Sequence, residues 1–554
     1  MKDVKIKGRE CIHARYSRSK SNDNDDILLV KENVHYEDGT VKPNIRVIKN
    51  FEREFYVTKP GFRNHKQKKE WEEKSKCNKY VCTQANLPTA LAKALGKPLG
   101  TNLRYLNNSP YVYGTDITTE KIVKNLYKQK WPDCISKWSL AVMDYETDMV
   151  YGTEKIISGS ITYRDRVTLC FTKSFLNGSK KTIDRIHEEF ENYLGKYKKE
   201  RNINLEVICV DTDIQVVHVL TRRAHEWIPD IVGFWNISFD MEKMIDSIRS
   251  HKMYAEDFFS YPKLENRFKT FTWKKKNPKK ETLSGKKKTV FNEELWHKAI
   301  HPAGFYMIDL MSLYCNIRMA SGKRESYSLD SVLKDELNIE KLKFKAADHI
   351  PSGDPKWHTF MQQNYKVEYL IYNIFDCISV ELLDEKNNDV AQTLPVLLGS
   401  SDVNTFDSNP RKLSDSLHFF CEKEKMVMGS TAEDMTEVTD KLQADKSGWI
   451  VTLASHLIEK DIGLNHISED KNLTSNIHAM VSDLDIEGSY PTSEIILNIS
   501  KETTRREMCK IEGLDEFTKR NIGLNLTNAR GNAVEIACNA LSLPSFDQLL
   551  EMVD

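Results

Sequence analysis

The sequence predicts an α/β protein of several domains. Its 554 residues exceed what one hydrophobic core ordinarily organises, so about two to four domains are expected. Between about 136 and 385, short apolar runs of strand length alternate with stretches of helical period. Charged residues make up 29% and the hydrophobic set 40%, the balance of a globular chain rather than a disordered one.

The elements follow in order. Residues 1–135 are polar and mixed, with strands expected at 27–30 and 54–58 and a charged helix with a solvated face at 66–76. No catalytic constellation is visible there, and the segment reads as a scaffold or accessory domain. The apolar run at 139–143 reads as a buried strand, and 156–163 with 167–171 as a hairpin. A helix is expected at 183–197, buried strands at 207–210 and 231–235, and one long helix at 365–383. From about 386 the composition shifts again, and 438–447 reads as a loop inserted before the segment from Leu457 onward.

Charge and cysteines narrow the class. The 81 basic and 81 acidic residues cancel, which leaves local patches free to bind phosphates or metals. Eleven cysteines are scattered, and the closest pair, Cys77 and Cys82, has no second pair at zinc-ligand spacing. A reduced, intracellular protein without zinc site or disulfide framework is expected. The N-terminal MKDVKIKGREC has no apolar stretch of signal-peptide length, and no window approaches the ~20 apolar residues of a membrane span. Cytoplasmic residence, with no membrane partner, is the expectation.

Three short segments carry candidate chemistry. Asp144 and Glu146 lie two apart on an expected strand, so both carboxylates share one face and Tyr145 takes the other. Asp240, in Asn236-Ile237-Ser238-Phe239-Asp240, follows a strand and starts a helix, where a ligand can face a cleft. Tyr372 and Asp376 are four apart on the long helix and share a face, which lets a phenol orient a water beside a carboxylate. Each string alone is common. Together and in this order they fit hydrolysis of a phosphodiester by two metals roughly 3.5–4 Å apart. Hard ions such as Mg²⁺, or Mn²⁺ in its place, prefer such oxygen donors. A basic stretch runs from Lys274, Lys275 and Lys276 to Lys286, Lys287 and Lys288, with Asn-Pro and Ser-Gly inside it. It reads as an exposed loop or hairpin, either solvated surface or a phosphate contact.

These segments resemble the Exo I, Exo II and Exo III motifs of the 3′→5′ exonuclease domain of family B DNA polymerases. The polymerases of T-even-like bacteriophages resemble the chain most. The runs Asp309-Leu310-Met311-Ser312-Leu313-Tyr314 and Ser326-Tyr327-Ser328-Leu329-Asp330 match that family between Exo II and Exo III. The resemblance implies an RNase H-like (DnaQ-like) exonuclease domain at 136–385. A mixed α+β N-terminal domain at 1–135 would precede it, and a partial polymerase palm at 386–554 would follow. It implies that Asp144, Glu146, Asp240 and Asp376 are metal ligands. Tyr372 would position the water, and Asn236 and Phe239 would shape the primer-strand pocket. The lysine loop would be the exonuclease hairpin.

Farther on, Asp485-Ile486-Glu487-Gly488-Ser489-Tyr490-Pro491 resembles motif A of the same family. By resemblance Asp485 is a catalytic metal ligand and Tyr490 the gate against ribonucleotides. The family's Ser-Leu before Tyr-Pro is replaced by Gly488-Ser489, and neither motif B nor the D-T-D of motif C follows. The string Asp211-Thr212-Asp213 lies between Exo I and Exo II and reads as a strand end. The resemblance therefore implies a proofreading exonuclease joined to the start of a DNA-directed DNA polymerase, with a second polypeptide carrying motifs B and C. Its partners would be a single-stranded 3′ end, primer–template DNA and deoxynucleotides. The alternatives are a stand-alone exonuclease with a vestigial palm, and a non-catalytic DNA-binding subunit of a replisome.

Overall fold

The computed structural model describes residues 4–66, 68–281, 287–351 and 354–429. Asp485, Tyr490, Lys286 and the loop expected at 438–447 lie outside the described residues.

The N-terminal part is built on antiparallel strands. β1 (Ile6–Arg18), β2 (Asp26–Tyr36) and β3 (Val41–Lys49) form one sheet with β2 in the middle. The central strand is buried along most of its length. β4 (Glu52–Thr58), β5 (Trp71–Glu73) and β6 (Cys77–Thr83) follow, then α1 (Leu87–Leu95), α2 (Leu103–Asn107), β7 (Val112–Tyr113) and α3 (Thr119–Lys130). The helix expected at 66–76 does not form: β5 and a single 3-10 turn occupy part of it. The charged composition favoured a solvated helix, but a strand far along the chain supplies hydrogen bonds to this edge, and that tertiary pairing wins. Glu72 is buried there and accepts from Lys69 Nζ at 2.6 Å.

A mixed six-stranded sheet forms the centre. Its strands are β8 (Leu140–Thr147), β9 (Ile156–Tyr163), β10 (Arg166–Thr172), β11 (Asn204–Val210), β12 (Ile231–Phe234) and, later in the chain, β17. The order is β11-β10-β9-β8-β12-β17, and only β9 runs antiparallel to its neighbours. Between the strands run α4 (Lys180–Arg201), α5 (Asp213–Trp227) and α6 (Ile237–Ser250). The chain builds outward from β8 to β11, then returns to place β12 on the other side of β8. Such a switch point leaves a crevice beyond the carboxyl ends of the strands.

After α6 come α7 (Ala255–Phe259) and two short ribbons. β13 (Thr272–Lys274) pairs with β16 (Lys298–Ile300), and between them β14 (Lys279–Glu281) pairs with β15 (Lys287–Thr289). β17 (Tyr306–Asp309), α8 (Leu310–Ile317), α9 (Leu329–Leu337), α10 (Pro355–Asn364) and α11 (Lys366–Asn387) complete the central layers. α5 and α6 cover one face of the sheet, sharing a core with Met143 and Tyr145. α4 and α11 cover the other, around Leu169, Phe190 and Phe375. Gly159, opposite Tyr145 in the β8–β9 register, leaves room for that ring, since a Cβ there would sit 2.7 Å from it.

The chain after α11 packs back on earlier parts. α12 (Leu394–Leu398) and α13 (Asn409–Lys423) lead to β18 (Met426–Met428), which pairs with β5. Asp415 on α13 forms a buried ion pair with Lys121 on α3. A second buried pair, Lys31 with Asp230, ties β2 to the start of β12, and Asp230 also accepts from Ser139 N–H at 2.7 Å. Breaking one partner of such a pair costs about 3–5 kcal/mol.

Candidate active site

β8 is apolar where it crosses the core and acidic where it leaves it. Ala141, Met143 and Tyr145 face α5 and α6, and the alternation turns Asp144 and Glu146 the other way, toward α11. Asp240 stands in the first turn of α6, directly after β12, and its Oδ1 accepts the Tyr145 N–H at 3.1 Å. Asp376 and Tyr372 stand one turn apart on α11. Asp144, Glu146, Asp240, Tyr372 and Asp376 line one open cavity of about 700 Å³ at the carboxyl ends of β8 and β12. Asn236 and Phe239 line it as well. Phe239 is 42% exposed at its rim, with Lys243 Nζ 5.7 Å above the ring.

The junction before α6 is held from β17. Buried Asp309 accepts from Ile237 N–H at 3.1 Å and from Ser312 N–H at 2.7 Å, so one carboxylate fixes the Asn236 turn and caps α8. Asn236 Oδ1 accepts from Ser238 Oγ at 2.9 Å and from Asn292 Nδ2 at 3.3 Å.

Charge in the cavity is unbalanced. Burial, with Glu146 and Asp376 alongside, holds the Asp144 carboxyl well above the ordinary carboxylate range. Burial pushes Glu146 up to about 8, against a hydrogen bond from Tyr369 that pulls it down. Burial and then Asp144 raise Asp240 well above the ordinary value. Asp376 is raised by burial, with Lys341 opposing. Lys341 Nζ donates to Asp376 Oδ2 and to the Tyr372 hydroxyl, each at 2.7 Å. Burial opposes its charge, but Asp376, Asp144 and Glu146 outweigh burial and lift its pKa. A second lining ammonium, Lys243, pairs with Glu154, which leaves Lys341 beside the carboxylates of Asp144, Glu146, Asp240 and Asp376.

The donor set suits hard cations. The carboxylates supply oxygen only, as Mg²⁺ and Mn²⁺ prefer. Asp376 Oδ1 is buried with no hydrogen-bond partner among the described residues, a free ligand atom beside the cavity. Among the described residues no three His, Cys, Asp or Glu side chains are already drawn into metal-holding distance.

The lysine stretch divides. Lys274, Lys275 and Lys276 are exposed, but Lys275 pairs with Glu242 and Lys276 with Asp407 at 2.9 Å. Lys287 and Lys288 belong to β15. Where the sequence reads as an exposed loop or hairpin, β14 and β15 form an antiparallel pair. The string Asp211-Thr212-Asp213 lies at the edge strand's end. Asp211 pairs with Lys173 at 2.6 Å, and Asp213 accepts from Ser247 Oγ at 2.8 Å.

Several lining or supporting residues escaped the sequence reading. Lys341 sits in the loop after α9, pinned by its own N–H to Asp330 Oδ1 at 2.9 Å, and no local pattern marks it. Asn373 donates to Asp144 Oδ2 at 2.6 Å, and Tyr369 donates to Glu146. Those two did carry a signal: 369, 372, 373 and 376 recur at helical spacing along one face.

No protein-family model matches the chain, and no curated protein matches it. Among the described residues, no helix is long and apolar enough to cross a membrane.

Proposed function

We propose that this chain is a 3′→5′ exodeoxyribonuclease of the proofreading kind, built on an RNase H-like domain and joined to part of a family B DNA polymerase. One observation carries the nuclease reading. Four carboxylates from three distant segments, Asp144 with Glu146, Asp240 and Asp376, line a single cavity together with Tyr372. The mixed sheet with its acidic strand at the switch point supports the RNase H-like fold.

Two divalent cations, Mg²⁺ or Mn²⁺, held by Asp144, Glu146, Asp240 and Asp376, would supply Lewis-acid activation of the scissile phosphodiester. The chain's own residues do the rest. Burial and Asp376 keep the Tyr372 phenol protonated, so it orients the attacking water as a hydrogen-bonding group rather than as a base. Lys341 stays charged and adds positive potential beside the phosphate. Phe239 offers a half-exposed ring at the rim against which a terminal base can stack. The cavity is open to the surface, so a strand end can enter it, and the resemblance makes a frayed single-stranded 3′ terminus the proposed substrate.

The polymerase half rests on the resemblance of Asp485 and Tyr490 to motif A. The intact carboxylate set favours catalysis over a purely DNA-binding role. The purified chain with Mg²⁺ and a 5′-labelled primer–template tests both halves. A primer that shortens stepwise from its 3′ end supports the nuclease. A primer left intact, or shortened equally by the Asp144→Ala, Glu146→Ala chain, overturns it. Extension of the primer with dNTPs supports the polymerase half.

A further inference from the structure

Glu146 is held from outside the acidic segments. The Tyr369 hydroxyl donates to Glu146 Oε2. The Tyr369 hydroxyl oxygen itself lies 2.9 Å from His358 Nδ1 and 3.1 Å from Gln362 Nε2, both on α10. A phenol has one proton to give. When that proton goes to ionised Glu146, the Tyr369 oxygen must accept from both α10 side chains, which assigns His358 the Nδ1–H tautomer.

Gln362 also grips the end of β8. Its Nε2 donates to the Thr147 carbonyl at 2.8 Å, and its Oε1 accepts the Met149 N–H at 2.9 Å. α10 therefore holds the backbone on the C-terminal side of Glu146 and, through one phenol, the carboxylate itself. Gln362 and Tyr369 are 1% and 0% exposed, so neither can turn to water for a partner. A network serving only to satisfy buried groups could close on backbone. This one ends on a carboxylate that lines the cavity, beside His358, which lines it too.

We propose that Tyr369, oriented by His358 and Gln362, is a positioning residue that holds Glu146 for a divalent cation, which makes α10 part of the metal site. This rests on the nuclease reading above. Outer partners of ligating groups typically change metal affinity about 10–100-fold when removed.

Mn²⁺ titrated into the full chain, with calorimetric detection, tests it on the wild type, Tyr369→Phe, His358→Ala and Asp144→Ala. Melting in EDTA is recorded alongside. Tyr369→Phe is expected to bind Mn²⁺ about 10–100-fold more weakly, and His358→Ala to shift the same way by a smaller factor. A role in packing alone would lower the EDTA melting temperature and leave the Mn²⁺ affinity of the folded chain unmoved, and that result overturns the proposal. Should Tyr369→Phe fail to fold, His358→Ala decides, and wild-type affinity in it overturns the proposal. Failure of the nuclease reading looks different, because wild type and Asp144→Ala would then bind Mn²⁺ alike.

Discussion

Two acid–x–acid strings end strands of the same sheet, and their fates differ. Asp144-Tyr145-Glu146 ends β8, flanked by β9 and β12 and roofed by α11. Asp211-Thr212-Asp213 follows β11 at the sheet's edge. Asp211 keeps 65% of its side chain exposed and meets Lys173. Gln215 Oε1 accepts from the Asp211 and Thr212 N–H groups at 2.9 and 3.1 Å, which makes the turn a helix start. The central pair is half-buried among other carboxylates, and the desolvation raises both of its groups. Local composition is nearly the same. Topology decides which acids are solvated and paired, and which are concentrated in one cavity.

The sharpest way to break this comparison is to remove both pairs. Asp144→Ala with Glu146→Ala should slow digestion of single-stranded DNA by at least about 10³-fold. Asp211→Ala with Asp213→Ala should leave the rate unchanged. Equal losses in gel-resolved digestion would mean the edge string is also chemical.

Next in size is Lys341→Met. It strands Asp376 beside its acidic neighbours, and breaking a buried pair costs about 3–5 kcal/mol. Urea denaturation in EDTA should show that loss, and excess Mg²⁺ should recover much of it. A loss that Mg²⁺ does not touch would separate Lys341 from the cation site.

pH sharpens the same contrast. Glu146 titrates at about 8 in the folded chain against an ordinary 4.5. The folded chain thus holds a proton that the unfolded chain releases. That contribution to stability is full below the ordinary value and is lost as pH rises through the folded one. The metal-free wild type should therefore lose melting temperature between about pH 5 and 9 more steeply than Glu146→Gln. Mg²⁺ binding should release protons and tighten with pH, by up to about tenfold per unit for one proton released. Calorimetry in buffers of different ionisation heat reads both, and no proton release would count against burial as the cause.

The smallest effect belongs to the edge. Gln215→Ala removes the acceptor at the start of α5 and should cost no more than about 1 kcal/mol in denaturant melts, with digestion unchanged.

Much of the central layer was legible. The strand expected at 156–163 is β9, and the helix expected at 365–383 is the first part of α11, with Tyr365 as its N-cap. Period-two and 3.6-residue patterns survive folding because burial of one face enforces them. The same rule placed Asp144 with Glu146, and Tyr372 with Asp376. The helix expected at 66–76 failed because its partner, β18, lies some 350 residues away and leaves no mark on local composition. Lys341, His358 and Gln362 escaped for the same reason: each acts through a contact that no spacing along the chain announces.

The sequence by itself determined which acids exist, which pairs of them share a face, and which elements carry them, because those follow from local periodicity and covalent spacing. Only the tertiary structure decided that β8 and β12 lie side by side at a switch point, that Lys341 reaches Asp376 and Tyr372, and that α10 reaches Glu146 through Tyr369. Those outcomes depend on strand order and on contacts between distant segments, where burial, and not composition, sets the cost of a charge.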